Sequence, residues 1–394
     1  MSFKVHIESS GHEFHTQDGE TILAAALREG LRLPYSCRDG RCGSCKGTVL
    51  SGRVDYGDYE AKALSAEEKA QGKALFCQAV PLEDVMIQAR EIEAAKDIAI
   101  KILPCRVVKL EKLAHDVMVL YLKLPQQERL QFLAGQYIDI LLRDGRRRSF
   151  SIANAPHDDA FLQIHIRHVP GGHFSDHVFT QMQEKALLRF EGPLGTFFLR
   201  ENDVQGSTNV PHRDVPMPRA QDAQERPAGG TTPGMEEVDR VGNQRSRMPG
   251  AAPERPIILM AGGTGFAPIK GILEHAFHTG VTLPLHLFWG VRARRDLYLH
   301  ELALSWERSY PNFHYTPVLS EPLPEDQWPG RTGWVHEAVA RDYPDLSRYE
   351  IYASGPPPMI EAGKALFTQH RLLPENLYFD SFEFAKDPSK NLAR

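Results

Sequence analysis

Four of the five cysteines in this chain are spaced to hold iron. The run Cys37-Arg38-Asp39-Gly40-Arg41-Cys42-Gly43-Ser44-Cys45 sets three thiols in a C-x4-C-x2-C pattern, and Cys77 follows alone. In this pattern a loop wraps a [2Fe–2S] cluster and a distant fourth cysteine completes the ligand set. Two iron ions bridged by sulfide need four thiolates converging on a small volume. Gly40 and Gly43 let the backbone come close and aim amides at the sulfurs, which stabilises the extra negative charge of the reduced cluster. A zinc site and a set of buried thiols are the competing readings. Structural zinc usually brings two short ligand pairs, and Cys77 has no such neighbour. The chain therefore reads as an electron carrier, and the question becomes where electrons enter and leave.

The elements that must position this loop follow from the pattern of apolar residues. Residues 3–8 alternate as an opening strand, with His12 to His15 as a hairpin partner. Thr21 begins a helix carrying Ile22, Leu23, Ala26 and Leu27, which Gly30 ends. Beyond the loop, strands are expected near Lys46 to Leu50, Val54 and Val85 to Ile87, with a short helix over Ala66 to Gln71. Glu91 to Lys96 reads as a linker. Six β-rich stretches follow, at Pro104–Leu110, Val117–Leu124, Tyr137–Leu142, Arg148–Asn154, Leu162–His168 and Leu187–Glu191. They predict a six-stranded antiparallel barrel with one helix, Ser175 to Gln183. From Glu201 to Arg255 the chain is rich in Pro, Gly, Arg and acidic residues without apolar periodicity. This predicts a disordered insertion acting as a spacer.

At Pro256 an apolar strand runs directly into Gly262-Gly263-Thr264-Gly265-Phe266-Ala267-Pro268. A buried strand, a glycine turn and a helix N-terminus together receive a pyrophosphate on backbone amides, with no side chains in the way. Strands near 257, 285, 313 and 351 alternate with helices, as a parallel sheet requires.

The totals fit an ordinary multidomain chain: 394 residues, 42% hydrophobic and 25% charged. A net charge of −5 with no basic stripe gives no case for nucleic acid. No apolar run approaches the about 18 residues that span a bilayer, and the opening residues lack the shape of a signal peptide. Cys105 has no cysteine left to pair with, which suits a reducing compartment, so a cytoplasmic protein is expected. His165, His168, His173 and His177 cross a strand, a turn and a helix. They read as surface and turn histidines and not as one metal site.

These motifs carry a resemblance. Residues 1–95 resemble a plant-type ferredoxin in a β-grasp arrangement. Arg148-Ser149-Phe150-Ser151 resembles the Arg-x-Tyr-Ser signature of the ferredoxin–NADP reductase superfamily, with Phe150 in place of tyrosine. The resemblance implies that Arg148 grips a flavin pyrophosphate, that Phe150 covers the flavin and that Ser151 hydrogen-bonds near its N5. The segment from Ile166 through Gly171-Gly172 to Ser175 is similar to the family's second flavin segment. Gly262, Gly263, Thr264, Gly265 and Pro268 match its nicotinamide-domain loop. Arg292 and Asp296 look like its adenosine-side contacts, although Asp296 also reads as a helix cap. Ser354-Gly355-Pro356 resembles its Cys-Gly-Pro strand end, with Ser354 replacing the cysteine near the reacting nicotinamide. Phe382 is, by position alone, the aromatic that shields the flavin.

The resemblance implies three domains: ferredoxin over 1–95, an FAD-binding barrel over 100–200 and a Rossmann-like NAD(P)-binding domain over 256–394. The insertion lies at 201–255. Electrons would pass from NAD(P)H to FAD, to the [2Fe–2S] cluster and to a partner protein. FAD is expected over FMN, and NADH over NADPH, although Arg292, Arg294 and Arg295 suit a 2′-phosphate. The run from Pro34 to Cys45 looks most like that of the CDP-6-deoxy-Δ3,4-glucoseen reductases, whose partner is a dehydrase. Reductase components of oxygenases share the same domain order. A ferredoxin-type carrier without flavin, and a flavin reductase with an incidental cluster, are the readings from other classes.

Overall fold

The computed structural model describes residues 1–200 and 255–383. They form three large sheets of different character and a two-stranded ribbon of Val54–Asp55 with Val80–Pro81. The first has the order Glu13–His15, Lys4–Ile7, Val85–Gln88, Lys46–Ser51, Lys73–Leu75. Lys4–Ile7 pairs parallel to Val85–Gln88, and the other pairings are antiparallel. The helix Ile22–Arg28 lays Ile22, Leu23, Ala25 and Ala26 on this sheet, and Thr21 caps its N-terminus through a bond from the Ala24 amide. Its apolar spacing forces one face inward. This is the β-grasp unit.

The second sheet is antiparallel throughout. Its order is Arg147–Ser151, Tyr137–Leu141, Leu187–Leu194, Lys101–Ala114, Val117–Lys123, Leu162–Arg167. A bridge between Ile152 and Ile164 joins its two edges, so the six strands close into a barrel. Cys105 is buried in the barrel core, and burial pushes its thiol up to about 12.

The third sheet is parallel, in the order Arg331–Thr332, Phe313–Leu319, Leu285–Val291, Ile257–Gly262, Glu350–Gly355, Leu377–Ser381. Every residue of Ile257–Gly262 and Glu350–Gly355 is buried, as strands covered on both faces demand. The strand order reverses between these two, and ligands of open α/β sheets bind at the carboxyl ends of strands at such a point.

The three units share cores. Tyr137 and Leu194 of the barrel pack with Tyr35 and Cys45 of the β-grasp unit. Ala134, Phe197 and Leu199 pack into the core of the parallel sheet. The expected linker is itself packed: Ile92 and Ala95 bury against Phe198, and Arg32 donates to the Ile98 carbonyl at 2.8 Å. The insertion expected over 201–255 falls, Arg255 excepted, outside the described residues.

Candidate active site

The four cysteines converge. Cys42, Cys45 and Cys77 are buried and Cys37 is half-buried. Their sulfurs fall into two hydrogen-bonded pairs, Cys37 with Cys42 and Cys45 with Cys77. The hydrogen bond from Cys37, helped by backbone amides, pulls the Cys42 thiol down to about 6, and Cys77 is likewise lowered by Cys45. Among the described residues no three of these sulfurs gather as ligands of a single ion. Two thiol pairs fit the two irons of one cluster. Amides point inward: Cys42 N–H lies 3.4 Å from the Cys37 sulfur and Ser44 N–H 3.5 Å from the Cys42 sulfur. Gly40 has φ +79, and a Cβ there would lie 2.6 Å from the Asp58 carbonyl. The loop turns where only glycine fits.

The loop is docked on the barrel. Tyr35 N–H donates to Thr196 Oγ1 at 3.0 Å, and Thr196 N–H returns a bond to the Tyr35 carbonyl at 3.1 Å. Tyr137 donates its hydroxyl to the Ser36 carbonyl at 2.6 Å. Arg38 takes a left-handed φ of +61, uncommon for a residue with a side chain. Its guanidinium reaches Asp139 at 2.5 Å and Glu191 at 3.1 Å, and Ser149 donates to the other Asp139 oxygen at 2.6 Å. Asp139 is buried, so this is a desolvated ion pair directly beside Cys37.

Asp380 joins all three units. Ser36 donates to its Oδ1 at 2.8 Å, and Ser151 to its Oδ2 at 3.2 Å. In the parallel sheet Asp380 pairs with Ser354. Burial pushes the Asp380 carboxyl above its usual range, while the two serine hydroxyls oppose the shift. The Ser354 hydroxyl is buried and makes no hydrogen bond. An orphaned buried hydroxyl at this strand end, beside the sheet's reversal, fits a site meant for a polar ligand.

On the flavin side, pleating divides the expected residues. Arg148 and Phe150 share one face, and Phe150 packs on Phe174 with ring centroids 5.5 Å apart. Ser151 points the other way, to Asp380. Phe174 belongs to the helix His173–Thr180, which follows Gly171-Gly172. Ser175 ties the turn by bonding the Val169 amide and the Gly172 carbonyl. A Cβ on Gly172 would meet the Ser175 hydroxyl at 2.7 Å. The glycine turn before this helix leaves backbone open for a pyrophosphate, as a bound flavin requires. The Ile166 side chain is in the barrel core, so only its backbone is free to meet a ligand.

On the nucleotide side, Gly262, Gly263, Thr264 and Gly265 lead into the helix Phe266–His278, with Pro268 in its first turn. A Cβ on Gly265 would fall 2.1 Å from the Ser354 carbonyl oxygen, so the two strand ends touch. Trp289 holds the loop by donating to the Gly263 carbonyl at 3.0 Å. Gly355 has φ +147 and Pro356 caps the helix Pro357–Gln369. Phe382 donates its amide to the Gly355 carbonyl at 2.9 Å, and its side chain is half-buried. Arg292 is exposed, and Asp296 accepts the Ala293 amide at 3.1 Å, so its capping role is present.

Four features escaped the sequence reading. Ser36, Arg38 and Asp139 form the docking contacts, and Asp380 is the shared acceptor. One acidic residue in the aromatic strand Leu377–Ser381 was the available signal. The expectation of surface histidines fails at His165, which is buried with Nδ1 2.9 Å from the Tyr298 hydroxyl. His168 pairs with Asp176 at 2.7 Å and His177 with Gln181 at 3.2 Å.

Family models match three parts of the chain. A 2Fe-2S iron-sulfur cluster binding domain covers residues 5–82, an oxidoreductase FAD-binding domain 104–199 and an oxidoreductase NAD-binding domain 259–364. The CDP-6-deoxy-L-threo-D-glycero-4-hexulose-3-dehydrase reductase of Yersinia pestis is 34% identical over 382 residues, which is 97% of this chain and 99% of that protein. The phenol 2-monooxygenase reductase component DmpP of a Pseudomonas species is 30% identical over 400 residues, 100% of this chain and 98% of its own. The crystal structure of the reductase GcoB from Amycolatopsis matches with a TM-score of 0.71 at 31% identity, covering 98% of this chain and all of that one.

Proposed function

This chain belongs to the iron–sulfur flavoprotein reductases of the ferredoxin–NADP reductase superfamily whose [2Fe–2S] domain precedes the flavin domain, and from that premise we propose which residues carry its electrons and to what partner. It is an NAD(P)H-dependent oxidoreductase that binds FAD and a [2Fe–2S] cluster and passes electrons to a partner protein. FAD held here would supply the conversion between a two-electron hydride donor and a one-electron cluster.

The residues of the chain do the placing. Cys37, Cys42, Cys45 and Cys77 ligate the cluster within a domain over 1–95. Arg148, Phe150, Gly171, Gly172 and Ser175 hold FAD in the barrel over 100–200. Ser151 orients the flavin ring. Gly262, Gly263, Thr264, Gly265 and Pro268 receive the nicotinamide dinucleotide in the domain over 256–394, with Gly355 and Pro356 opposite and Ser354 against the ring. Phe382 covers the flavin until nicotinamide displaces it. Arg292 and Asp296 take the adenosine end, with NADH preferred. The observation that supports this reading most is the Asp380 carboxylate, which accepts from Ser36 beside the first cysteine and from Ser151 beside the flavin face.

Among partners, a dehydrase acting on a CDP-linked deoxyhexulose is favoured over an oxygenase, because the relative with that role has the higher identity. No helix among the described residues is long and apolar enough to cross a membrane, and the proposed location is the cytoplasm.

Anaerobic titration with NADH, followed by visible absorption and EPR, tests the path. Flavin bleaching with a rhombic signal from one reduced cluster is expected. A cluster spectrum that neither NADH nor NADPH alters would reduce the protein to a ferredoxin-type carrier. Turnover with a phenol hydroxylase oxygenase component, and none with a CDP-sugar dehydrase, would overturn the choice of partner.

A further inference from the structure

We propose that, without dinucleotide bound, His115, Asp116 and Asp296 form a divalent-cation site that ties the barrel to the nucleotide domain, Asp296 being released to the adenosine end when dinucleotide binds. His115 and Asp116 sit in the turn between the strands Lys101–Ala114 and Val117–Lys123. Asp296 closes the short turn Arg294–Asp296 after the strand Leu285–Val291. The His115 Nδ1 atom is 3.8 Å from Asp116 Oδ1 and 3.8 Å from Asp296 Oδ1. The three ligand atoms lie within 4.8 Å of one another, the one such group of His, Cys, Asp or Glu among the described residues.

Two details point to a cation over a simple ion pair. The first is spacing. A distance of 3.8 Å to both carboxylates is too long for a hydrogen bond. It is close to the about 3–3.5 Å that separates ligands around one ion at bond lengths of about 2.0–2.2 Å.

The second is orientation. Each carboxylate has its far oxygen held by a donor: Arg167 Nε gives to Asp116 Oδ2 at 2.8 Å and Ala293 N–H to Asp296 Oδ2 at 3.1 Å. Both near oxygens are thereby turned toward the imidazole, as outer hydrogen bonds orient metal ligands. The Asp116 and Asp296 side chains are 16% and 13% exposed and His115 is 51% exposed, so the site opens to solvent on the histidine side. One imidazole and two carboxylates, with water completing the shell, suit Mn²⁺ or Zn²⁺. The two carboxylates outweigh the Arg167 guanidinium, and the local charge attracts a dication.

The probe is Mn²⁺ titrated into oxidised holoprotein, where the EPR signal of the free aquo ion reports what remains unbound. One Mn²⁺ per chain is expected. His115→Ala and Asp116→Asn should each weaken binding by about tenfold or more. His115 is half exposed, so its substitution leaves a folded protein for the test, and unchanged flavin and cluster absorption confirms this. No bound Mn²⁺ at millimolar concentration overturns the site. Binding that both variants retain unchanged also overturns it, since the ion would then be adventitious and held elsewhere.

Discussion

Ser36, the residue before Cys37, donates its hydroxyl to Asp380 at 2.8 Å across 344 positions of sequence. Asp380 belongs to the last strand of the nucleotide sheet and also accepts from Ser151 of the barrel. One carboxylate thus fixes the cluster loop, the flavin face and the nicotinamide strand in one register. Asp380→Ala leaves two serine hydroxyls without their acceptor, at a cost of about 1–3 kcal/mol. We expect a lower melting temperature and slower cluster reduction in stopped-flow, with flavin reduction by NADH less affected. Asp380→Asn, which keeps shape and hydrogen bonding, should retain most of both. Equal cluster-reduction rates in wild type and Asp380→Ala would show that this junction does not set the distance.

Arg38 and Asp139 make a second, charged fastening. Arg38→Ala strips a buried carboxylate of its closest cation, a loss of about 3–5 kcal/mol when nothing replaces it; Arg147, 3.9 Å from Asp139, makes the lower end the expected value. The double variant Arg38→Ala/Asp139→Asn should lose less than the sum of the two single variants. Simple additivity in a denaturant series would mean that the two groups act independently.

If the cluster is the outlet, Cys42→Ser abolishes cytochrome c reduction while ferricyanide, which flavin can serve directly, is still reduced by NADH. Intact cytochrome c reduction in this variant would place the outlet at the flavin.

Gly265→Ala puts a methyl group 2.1 Å from the Ser354 carbonyl, and backbone must move to admit it. NADH binding should weaken at least tenfold by equilibrium titration, with the [2Fe–2S] absorption unchanged. Wild-type affinity would mean that the dinucleotide does not use this loop.

Burial lowers His165 to about 3, with the Lys270 charge adding to the effect. Its unfolded value is 6.5, so between pH 6.5 and about 3 the unfolded chain binds the extra proton. The stability held by neutral His165 is therefore present above pH 6.5 and lost as pH falls through that window. His165→Gln should make the fall shallower by up to about 1.4 kcal/mol per pH unit. An unchanged pH slope, measured by denaturant unfolding from pH 7 to 4, would count against a buried neutral imidazole.

Much of the architecture was legible because its signals are local. Thr21 and Gly30 bracket the first helix, alternation marks the six barrel strands, and the apolar run before Gly262 marks a fully covered strand. The cysteine spacing needed only nine residues and one distant partner. What sequence did not carry are contacts made across domains. Nothing near Ser36 announces Asp380, and nothing near His165 announces Tyr298, because such partners are chosen by packing and not by periodicity. Asp296 was legible only as a pair of alternatives: the structure adds the cap on Ala293, while its nucleotide contact rests on resemblance.

Lys270 and Glu274 form an ion pair of 2.7 Å in the first helix of the nucleotide domain, with the Lys270 ammonium also donating to the Ala153 carbonyl of the barrel at 3.1 Å. Swinging the nucleotide domain away would break the bond from that ammonium to the Ala153 carbonyl and pull Ala134, Phe197 and Leu199 out of the core of the parallel sheet. A wide hinge opening is thus disfavoured for admitting dinucleotide. If Phe382, half-buried past the last strand, is the ring that covers the flavin, it is the smaller part left to move. On this view the three units keep their spacing while electrons pass, because the contacts that set it are the same ones that hold the domains together.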